Sequence, residues 1–562
     1  MADAVADLIV TGARVWTQDA DNPWAESIAV RDGQIIAVGT DADILAYRAD
    51  GTEVHDLEDA LVVPGLSDGH VHLAIGGSQA AYELPIAPWD DLPTIYERVR
   101  AWASRLGRDE WIVGGIVGTP VIDQIVQSAS HLADLDEAAG GRPVLLRDDT
   151  MHNRWLSSRA LEILGVTTDS PNPEGGEFVR DADGQLTGAA YEMASGMAEG
   201  AFAASVADPG ARMKGALLAA QQILLSFGIT SVQEAATMEH AWGALTDLDR
   251  EGDWTLKVVA SMPVRPFLED GIVGDELLEV TRRYRSERLR PDFVKIVMDG
   301  VPMTRTAAML EPYLCHDHSN EDPEFRGEPY WAEEDLVEEL RKSIRLGLGS
   351  KIHATGDRAI RMVLNATEKV RDEGWSGEPK IQIAHTLFVD PEDAPRYGPL
   401  GVVADASPFI WYPSGMNDSM AHQVGNRVVE ATGPFRTLVD TGALVAAGSD
   451  WPCALPSPSP WTGLQAMVTR ANPDPSVPGT LGADQALTVA EALEAFTVNP
   501  IVAMGLEGTA GRIKPGFAAD FAVLDRNLFE VSPSEIHATV VTRTYLQGRL
   551  VYEASDSLVP NA

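Results

Sequence analysis

Eight short apolar runs, separated by amphipathic helix-like stretches, constrain the fold of this 562-residue chain more than any other feature. Alternation of strand-length runs with helical stretches is typical of βα units that build a parallel sheet. Eight parallel strands with intervening helices predict an α/β fold, a closed (β/α)₈ TIM barrel. The runs span residues 61–72, 228–235, 256–264, 293–300, 351–357, 380–386, 401–407 and 443–450.

The two ends of the chain have a different texture. Residues 7–55 alternate in short apolar runs around an Asp-Gly hairpin signal, and residues 511–554 repeat the pattern around a Gln-Gly turn. We expect both termini to pair into one small β-sandwich. The gap of about 155 residues between the first two barrel runs is too long for one connection, which predicts a large α+β insertion after strand 1.

These patterns predict five successive segments. They are the N-terminal part of the sandwich at 1–60, barrel strand 1 with a metal motif at 61–73, the inserted subdomain at 74–215, the rest of the barrel at 216–505, and the C-terminal part of the sandwich at 506–562.

Charge and composition narrow the partners. With 84 acidic and 43 basic residues the formal net charge is -41, which repels nucleic-acid phosphates and anionic lipid surfaces. No apolar run reaches the roughly 18 residues of a membrane span, and the amino terminus lacks the basic region of a signal peptide. The two cysteines, Cys315 and Cys453, form no paired framework. We expect a cytoplasmic protein with a small-molecule substrate.

Polar residues near the ends of the barrel runs predict a metal site, because catalytic groups of such barrels lie at the carboxyl ends of the strands. His70 and His72 stand two residues apart in an extended segment, so both side chains point to one side and can reach one cation. His353, His385 and Asp450 lie near the ends of the fifth, sixth and eighth runs. Their recurrence makes a shared metal site more plausible than a set of unrelated histidines.

Lys295 is one of only eight lysines and lies inside the apolar run FVKIVMDG. Burying an ammonium group there is costly unless it is paired or deprotonated. Burial and nearby cations lower the pKa of a lysine, and a neutral amine can add carbon dioxide to give a carbamate that bridges two cations. The alternative is a lysine that reaches solvent or pairs with an acid.

Several of these stretches, taken in order, resemble the amidohydrolase superfamily. They are PGLSDGHVH, VKIVMDG followed by TAAMLEPY, IHATGDRAI, IAHT and GSDWP. Their detail is similar to amidohydrolase family 3, which includes enzymes resembling N-substituted formamide deformylase. The resemblance extends over nearly the whole chain, including three stretches of the insertion: WIVGGIVG, HNRWLSSRALEILGV and DADGQLTGAAYEMA.

The resemblance implies two divalent metal ions, with zinc as the default and cobalt or manganese as alternatives. It divides the ligands between the ions: His70, His72 and Asp450 on the first, His353 and His385 on the second, and carbamylated Lys295 between them. A hydroxide held by the metals would then attack the substrate carbonyl. Asp450 would act as general base and acid, taking the hydroxide proton and passing it to the departing amine.

Four further residues are candidates for substrate binding. His152 resembles a histidine of the family's insertion that faces the barrel mouth, although a structural role is an equal alternative. Glu234 ends the second run and could hydrogen-bond a ligand histidine or the substrate. Trp411 and Trp451 follow strands seven and eight, where loops can wall a pocket or pack against the barrel. The CHDH stretch at 315–318 has the letters of a metal site, but its acidic surroundings favour a loop.

The sequence therefore predicts a metal-dependent hydrolase that cleaves a non-peptide carbon–nitrogen bond of a small N-substituted amide. Carbamate or ester hydrolysis is the next alternative. A cyclic-amide hydrolase or deaminase would use the same metals, but family members that deaminate place a glutamate shortly after the fifth-strand histidine, and none follows His353 there. A barrel retained as a regulator without turnover is disfavoured because every ligand position is filled. A homodimer is a reasonable expectation.

Overall fold

The computed structural model describes residues 5–266, 271–314 and 322–554, and its centre is a parallel sheet of eight strands in sequential order. The barrel is completed between the first and last strands, where the backbone amide of Asp450 donates to the carbonyl of His70 at 2.7 Å. Each predicted run overlaps one of these strands, although the fourth and fifth strands begin two to four residues before their runs, so the predicted barrel is confirmed. The strands are β1 (Leu66–Val71), β2 (Ile229–Glu234), β3 (Lys257–Pro263), β4 (Leu289–Val297), β5 (Gly349–Ala354), β6 (Ile381–His385), β7 (Val402–Ala406) and β8 (Leu444–Ala447).

Most barrel strands are buried on both faces, as expected for a parallel sheet covered by helices. Gly448, directly after β8, permits the close approach of β8 to β1, because a Cβ there would lie 2.3 Å from the backbone nitrogen of His70. Two helices between β1 and β2 pack on the barrel, namely Leu73–Tyr82 and Pro209–Ser226. The helices that follow β2 to β8 are Glu239–Glu251, Gly274–Thr281, Glu333–Arg345, Asp357–Asp372, Tyr397–Leu400, Gly415–Val424, Asn426–Glu430, Phe435–Asp440, Pro460–Thr469, Val489–Phe496 and Val498–Ala503.

Two sheets pack against each other beside the barrel, one built from amino-terminal strands alone and one from both ends of the chain. The strand Leu61–Pro64 pairs antiparallel with Phe521–Leu524, which joins the amino-terminal and carboxy-terminal segments in one sheet. Although Leu61–Pro64 belongs to the first predicted run, it lies in this terminal sheet and not in the barrel. In spatial order the six-stranded sheet contains Arg549–Glu553, Val541–Leu546, Phe521–Leu524, Leu61–Pro64, Arg14–Trp16 and Trp24–Ala25, and the four-stranded sheet contains Gln34–Gly39, Ser27–Arg31, Leu8–Thr11 and Glu53–Asp56.

A third sheet, of mixed direction, lies between β1 and β2 in the chain and has its own apolar core. In spatial order its strands are Gly176–Arg180, Leu186–Glu192, Asn153–Leu156, Val144–Asp148, Ile112–Val117 and Leu84–Pro85, and its helices are Leu92–Ala103, Thr119–Ile125, Ser130–Ala139, Ser158–Ile163 and Met193–Ser205. The five segment boundaries predicted from the sequence stay predictions. The helix Pro209–Ser226 extends across the predicted boundary between the inserted subdomain and the barrel at residue 215.

The remaining short elements connect these layers. They are the helix Asp41–Ile44 and the 3₁₀ turns Leu45–Tyr47, Pro302–Thr304, Ala394–Arg396, Pro408–Ile410, Ala483–Gln485 and Pro533–Ala538. Within the described residues, every helix is too short or too polar to cross a membrane.

Candidate active site

Three potential metal ligands meet where the barrel closes. His70 lies on β1, His72 directly follows it, and Asp450 comes three residues after β8. The Nε2 atoms of both histidines lie 3.5 Å from Oδ1 of Asp450. One ligand atom from each residue lies within 4.8 Å of the other two, which is a spacing that one cation can bridge.

His353 and His385 form a second pair of facing imidazoles. Nδ1 of His353 lies 2.9 Å from Nε2 of His385. The other ring nitrogen of His353 lies 3.1 Å from the carbonyl oxygen of Gly300, which only accepts, so we assign the hydrogen to that nitrogen and a lone pair to Nδ1. Nδ1 of His385 lies 3.1 Å from Oγ of Ser407 and 3.6 Å from a carboxylate oxygen of Asp450, which favours a hydrogen there.

Three histidines of this cluster, His70, His353 and His385, are held in their uncharged form. Burial lowers the pKa of His70, His353 and His385 well below the usual value, and neighbouring positive groups lower it further. Neutral imidazole is the state that binds metals. The cluster therefore has the donor chemistry that a divalent cation needs, without first losing protons.

Lys295 projects from β4 into the same region and is 3% exposed. Burial lowers its pKa to about 8, and the charge of Lys351, its register partner on β5, contributes to the shift. About a tenth of this amine is therefore uncharged at pH 7, far more than for an exposed lysine.

A network that the sequence analysis missed lies behind His70. Nδ1 of His70 lies 2.8 Å from Oδ2 of Asp405, and the buried ammonium of Lys351 donates to that same oxygen and to the carbonyl of Gly69. Nε2 of His70, on the opposite side of the ring, is buried and has no hydrogen-bond partner among the described residues. Asp405 thus orients the ring and leaves Nε2 for a ligand. The sequence held a signal, since Lys351 and Asp405 both lie in strand-like runs, as Lys295 does.

Two of the candidate ligands have a strained backbone. His385 has φ of 72° and Asp450 has φ of 55°, in the left-handed region that non-glycine residues rarely adopt. Such conformations cost on the order of 1–3 kcal/mol each and concentrate at functional sites. The strain therefore supports a functional role for the ends of β6 and β8.

The insertion contributes His152 to the wall of the cavity above the cluster. Nδ1 of His152 lies 2.9 Å from Glu192, whose other oxygen accepts from Thr306, and the His152 ring centroid is 5.4 Å from that of His353. Burial lowers the pKa of His152, but the Glu192 carboxylate outweighs burial and leaves that pKa raised. Glu192 was not identified from the sequence, because its pairing depends on a fold contact between distant segments.

The other predicted site residues divide into two groups. Glu234 lines the cavity, with Oε1 3.9 Å from Nδ1 of His72 and Oε2 accepting from the backbone amide of Leu73. The structure does not bring Trp411 or Trp451 to the cavity wall. Both are fully buried: Trp411 stacks on Phe435, and Trp451 donates to a backbone carbonyl of its own loop. The stretch 315–318 lies outside the described residues.

The fold is a closed (β/α)₈ barrel, and histidine, aspartate and lysine side chains lie together at the carboxyl ends of its strands. These two features define the general class of this protein, a metal-binding barrel. The family model described as "Amidohydrolase family" matches residues 53–552. The chain belongs to the amidohydrolase family and is a metal-dependent hydrolase. This confirms the predicted enzyme class, hydrolases of carbon–nitrogen bonds, and the expectation of a divalent metal.

Relatives extend over nearly the full chain. The chain is 29% identical to Protein LONG AFTER FAR-RED 3 of Arabidopsis thaliana, covering 98% of this chain and 92% of that protein. It is 26% identical to N-substituted formamide deformylase of Arthrobacter pascens, covering 98% and 99%. The crystal structure of an uncharacterised metal-dependent hydrolase from Pyrococcus horikoshii OT3 has the same fold, with a TM-score of 0.71 at 22% identity, over 94% of this chain and 99% of that one.

Proposed function

We propose that this protein hydrolyses the amide bond of small N-substituted amides. The observation that carries the proposal is the convergence of six potential ligands from β1, β4, β5, β6 and the segment after β8. They are His70, His72, Lys295, His353, His385 and Asp450.

We further propose that the cluster holds two divalent cations, with zinc as the first choice and cobalt or manganese as alternatives. His70, His72 and Asp450 would hold one cation, and the facing nitrogens of His353 and His385 support a second. Carbamylated Lys295 would link the two, which its low pKa favours. When bound, such cations acidify water and polarise a carbonyl oxygen.

Asp450 is the proposed general base and acid, since its carboxylate lies beside both groups of ligands and is partly open to the cavity. It takes a proton from the attacking water as the new carbon–oxygen bond forms. It then gives that proton to the amide nitrogen as the carbon–nitrogen bond breaks, releasing an acid and an amine. His152, held by Glu192, and Glu234 line the space in which the substrate would bind.

The relative named N-substituted formamide deformylase, similar over the full chain, supports an amide with a small acyl group and a substituted nitrogen. The test is a panel of N-substituted formamides, acetamides, carbamates, cyclic amides and aminated heterocycles, with metal-loaded protein and detection of amine, acid and ammonia. Release of formate and amine in equal amounts is the expected result.

Other outcomes of that panel identify other functions. Ammonia from an aminated ring, with linear amides left intact, would make the protein a deaminase. Ring opening alone would make it a cyclic-amide hydrolase. No turnover of any compound by the metal-loaded protein would support a non-catalytic regulator and contradict the proposal.

Two further properties stay predictions from the sequence. One is a cytoplasmic location, which cell fractionation would test. The other is a homodimer, which light scattering of the purified protein would test.

A further inference from the structure

A cavity opens above the ligand cluster. Its internal volume is about 150 Å³, similar to that of an apolar cavity that admits a benzene molecule. A formyl group needs only part of this space, so the cavity has room for another part of the substrate.

Methionine is the most frequent apolar residue in the wall of this cavity. Five of the chain's 15 methionines line it: Met151, Met238, Met303, Met416 and Met420. They come from four separate parts of the chain, namely the insertion, the loops after β2 and β4, and the helix Gly415–Val424. The residues are therefore gathered by tertiary structure and not by local sequence. Methionine is unbranched and polarizable, so it adapts its shape to irregular apolar groups.

The charged side chains that the insertion contributes to this cavity are already engaged. Arg147 and Arg154 both bind Glu199, and Asp149 accepts hydrogen bonds from Thr119. A charged group on the substrate would have to compete with these contacts, because burying it without a new partner is costly. Within the described part of the insertion, the wall thus favours a neutral substituent.

We infer that the substrate is a neutral amide whose nitrogen carries a bulky apolar group of variable shape, and that the five methionines form the wall that holds this group. The inference rests on the proposed amide hydrolysis and names its substrate class. The small acyl group would lie at the ligand cluster, and the apolar group would extend along the methionine wall towards the mouth.

A chain-length series tests the inference. For N-methyl, N-butyl and N-hexyl formamide, kcat/KM is expected to rise about fourfold for each methylene that the wall buries. In N-methyl amides with a lengthening acyl chain, the rise should be absent. A flat formamide series, or a rise only with acyl length, would overturn the inference while leaving amide hydrolysis in place.

Binding provides a readout that does not depend on turnover. Methyl ketones of increasing chain length correspond to N-alkyl acetamides in which a methylene replaces the amide NH, and they cannot be hydrolysed. Their affinity for the metal-loaded protein, measured by calorimetry, should rise with chain length by a similar factor. If the ketones bind in this way but the protein cleaves no amide, the result would support the methionine wall as a binding site and contradict the proposed hydrolysis. Ketone affinity that is independent of chain length would contradict the inference that the methionine wall binds the apolar group.

Two variants locate the effect in the wall. Met416 is half-buried on the helix Gly415–Val424, so Met416→Lys should fold with its ammonium in solvent and should flatten the chain-length dependence. Met197→Lys is the matched control, because Met197 is 42% exposed and does not line the cavity. It should keep the full slope. An unchanged slope in Met416→Lys would contradict the inference.

Shape tolerance is the second signature. In the wild type, N-hexyl, N-cyclohexyl and N-benzyl formamide should differ in kcat/KM by less than about tenfold, since methionine repacks around different shapes. In the double variant Met416→Leu/Met420→Leu the apolar character remains but the side chains are stiffer, and the spread should exceed about tenfold. An unchanged spread would show that the methionines do not provide the tolerance.

Discussion

Asp450 combines more roles than any other single residue of the candidate site. Its amide nitrogen helps to complete the barrel, its carboxylate lies beside three candidate histidine ligands, and its backbone is held in the left-handed region. The fold maintains this conformation because the hydrogen bond to β1 fixes the segment after β8. The residue is thus positioned for chemistry at a cost in backbone energy.

Asp450→Asn should retain most of the metal, because the amide oxygen still offers a ligand, and should lose the proton transfer. We expect kcat to fall by about 10²–10⁴, measured beside metal content by elemental analysis. Asp183→Asn, at an exposed turn, is the control and should behave as wild type. Normal turnover by Asp450→Asn would refute its role as base.

Lys295→Ala should lower the metal content from about two ions to about one and should reduce activity, since the bridging group is lost. Acetate or propionate should restore part of both by supplying a carboxylate in the vacated space. Lys214→Ala, which alters a surface ion pair, serves as control. Full metal content and full rate in Lys295→Ala would rule out the bridge.

Lys351→Met should leave Asp405 as an uncompensated buried charge and should lower the free energy of unfolding by about 3–5 kcal/mol. It should also weaken the orientation of His70, lowering metal affinity by about 10–100-fold. Chelator competition on the folded variant measures the second effect separately from stability. Metal affinity equal to that of the wild type would limit Lys351 to a structural role.

At the scale of elements, the insertion is attached to the barrel by a buried charge network. Arg147, on the strand Val144–Asp148, binds Glu83 at the end of the helix Leu73–Tyr82 and Glu199 on the helix Met193–Ser205. Burial alone would raise the pKa of Glu199, but the two arginines that bind it lower that pKa to about 2. The network therefore holds the strand that leads into His152.

Arg147→Met tests this attachment. Removing one partner of a buried network leaves the carboxylates uncompensated, so the free energy of unfolding should fall by about 3–5 kcal/mol at pH 7, measured by urea titration. Arg159→Met removes an exposed pair with Glu162 and should have no measurable effect. Equal stability of the two variants would contradict the proposed role of the network.

At the scale of the whole molecule, the barrel and the inserted segment together line the cavity above the ligand cluster. The terminal strands cover the barrel on one side, and the insertion supplies part of the cavity wall. The proposed cation sites lie where strands distant in the chain converge, so metal binding should couple to the stability of the entire barrel.

Metal removal tests that coupling. Elemental analysis of protein purified without chelator should give about two ions per chain. Prolonged chelation should lower Tm and abolish activity, because a ligand that binds only the folded state stabilises it. Zinc, cobalt or manganese should restore both. About one ion per chain would favour a mononuclear site, and no uptake at all would refute the metal assignment.

Periodic patterns in the sequence were sufficient to predict the barrel and the sandwich, since burial on both faces requires continuous apolar runs and burial on one face requires alternation. The same reasoning singled out the six proposed ligands, because polar residues near the ends of apolar strands are rare. It grouped Leu61–Pro64 with the barrel, because an apolar run does not show which sheet it joins. It also offered Trp411 and Trp451 as pocket residues, whereas packing buries both.

The sequence by itself determined the class of fold, the family and the residue types of the candidate site. Only the tertiary structure decided the contacts made by pairs distant in the chain: Asp405 with His70 and Lys351, Glu192 with His152, and five methionines in one wall. The physical reason is that periodicity reports which side of an element is buried, whereas hydrogen bonds and cavity walls depend on which elements the fold brings together.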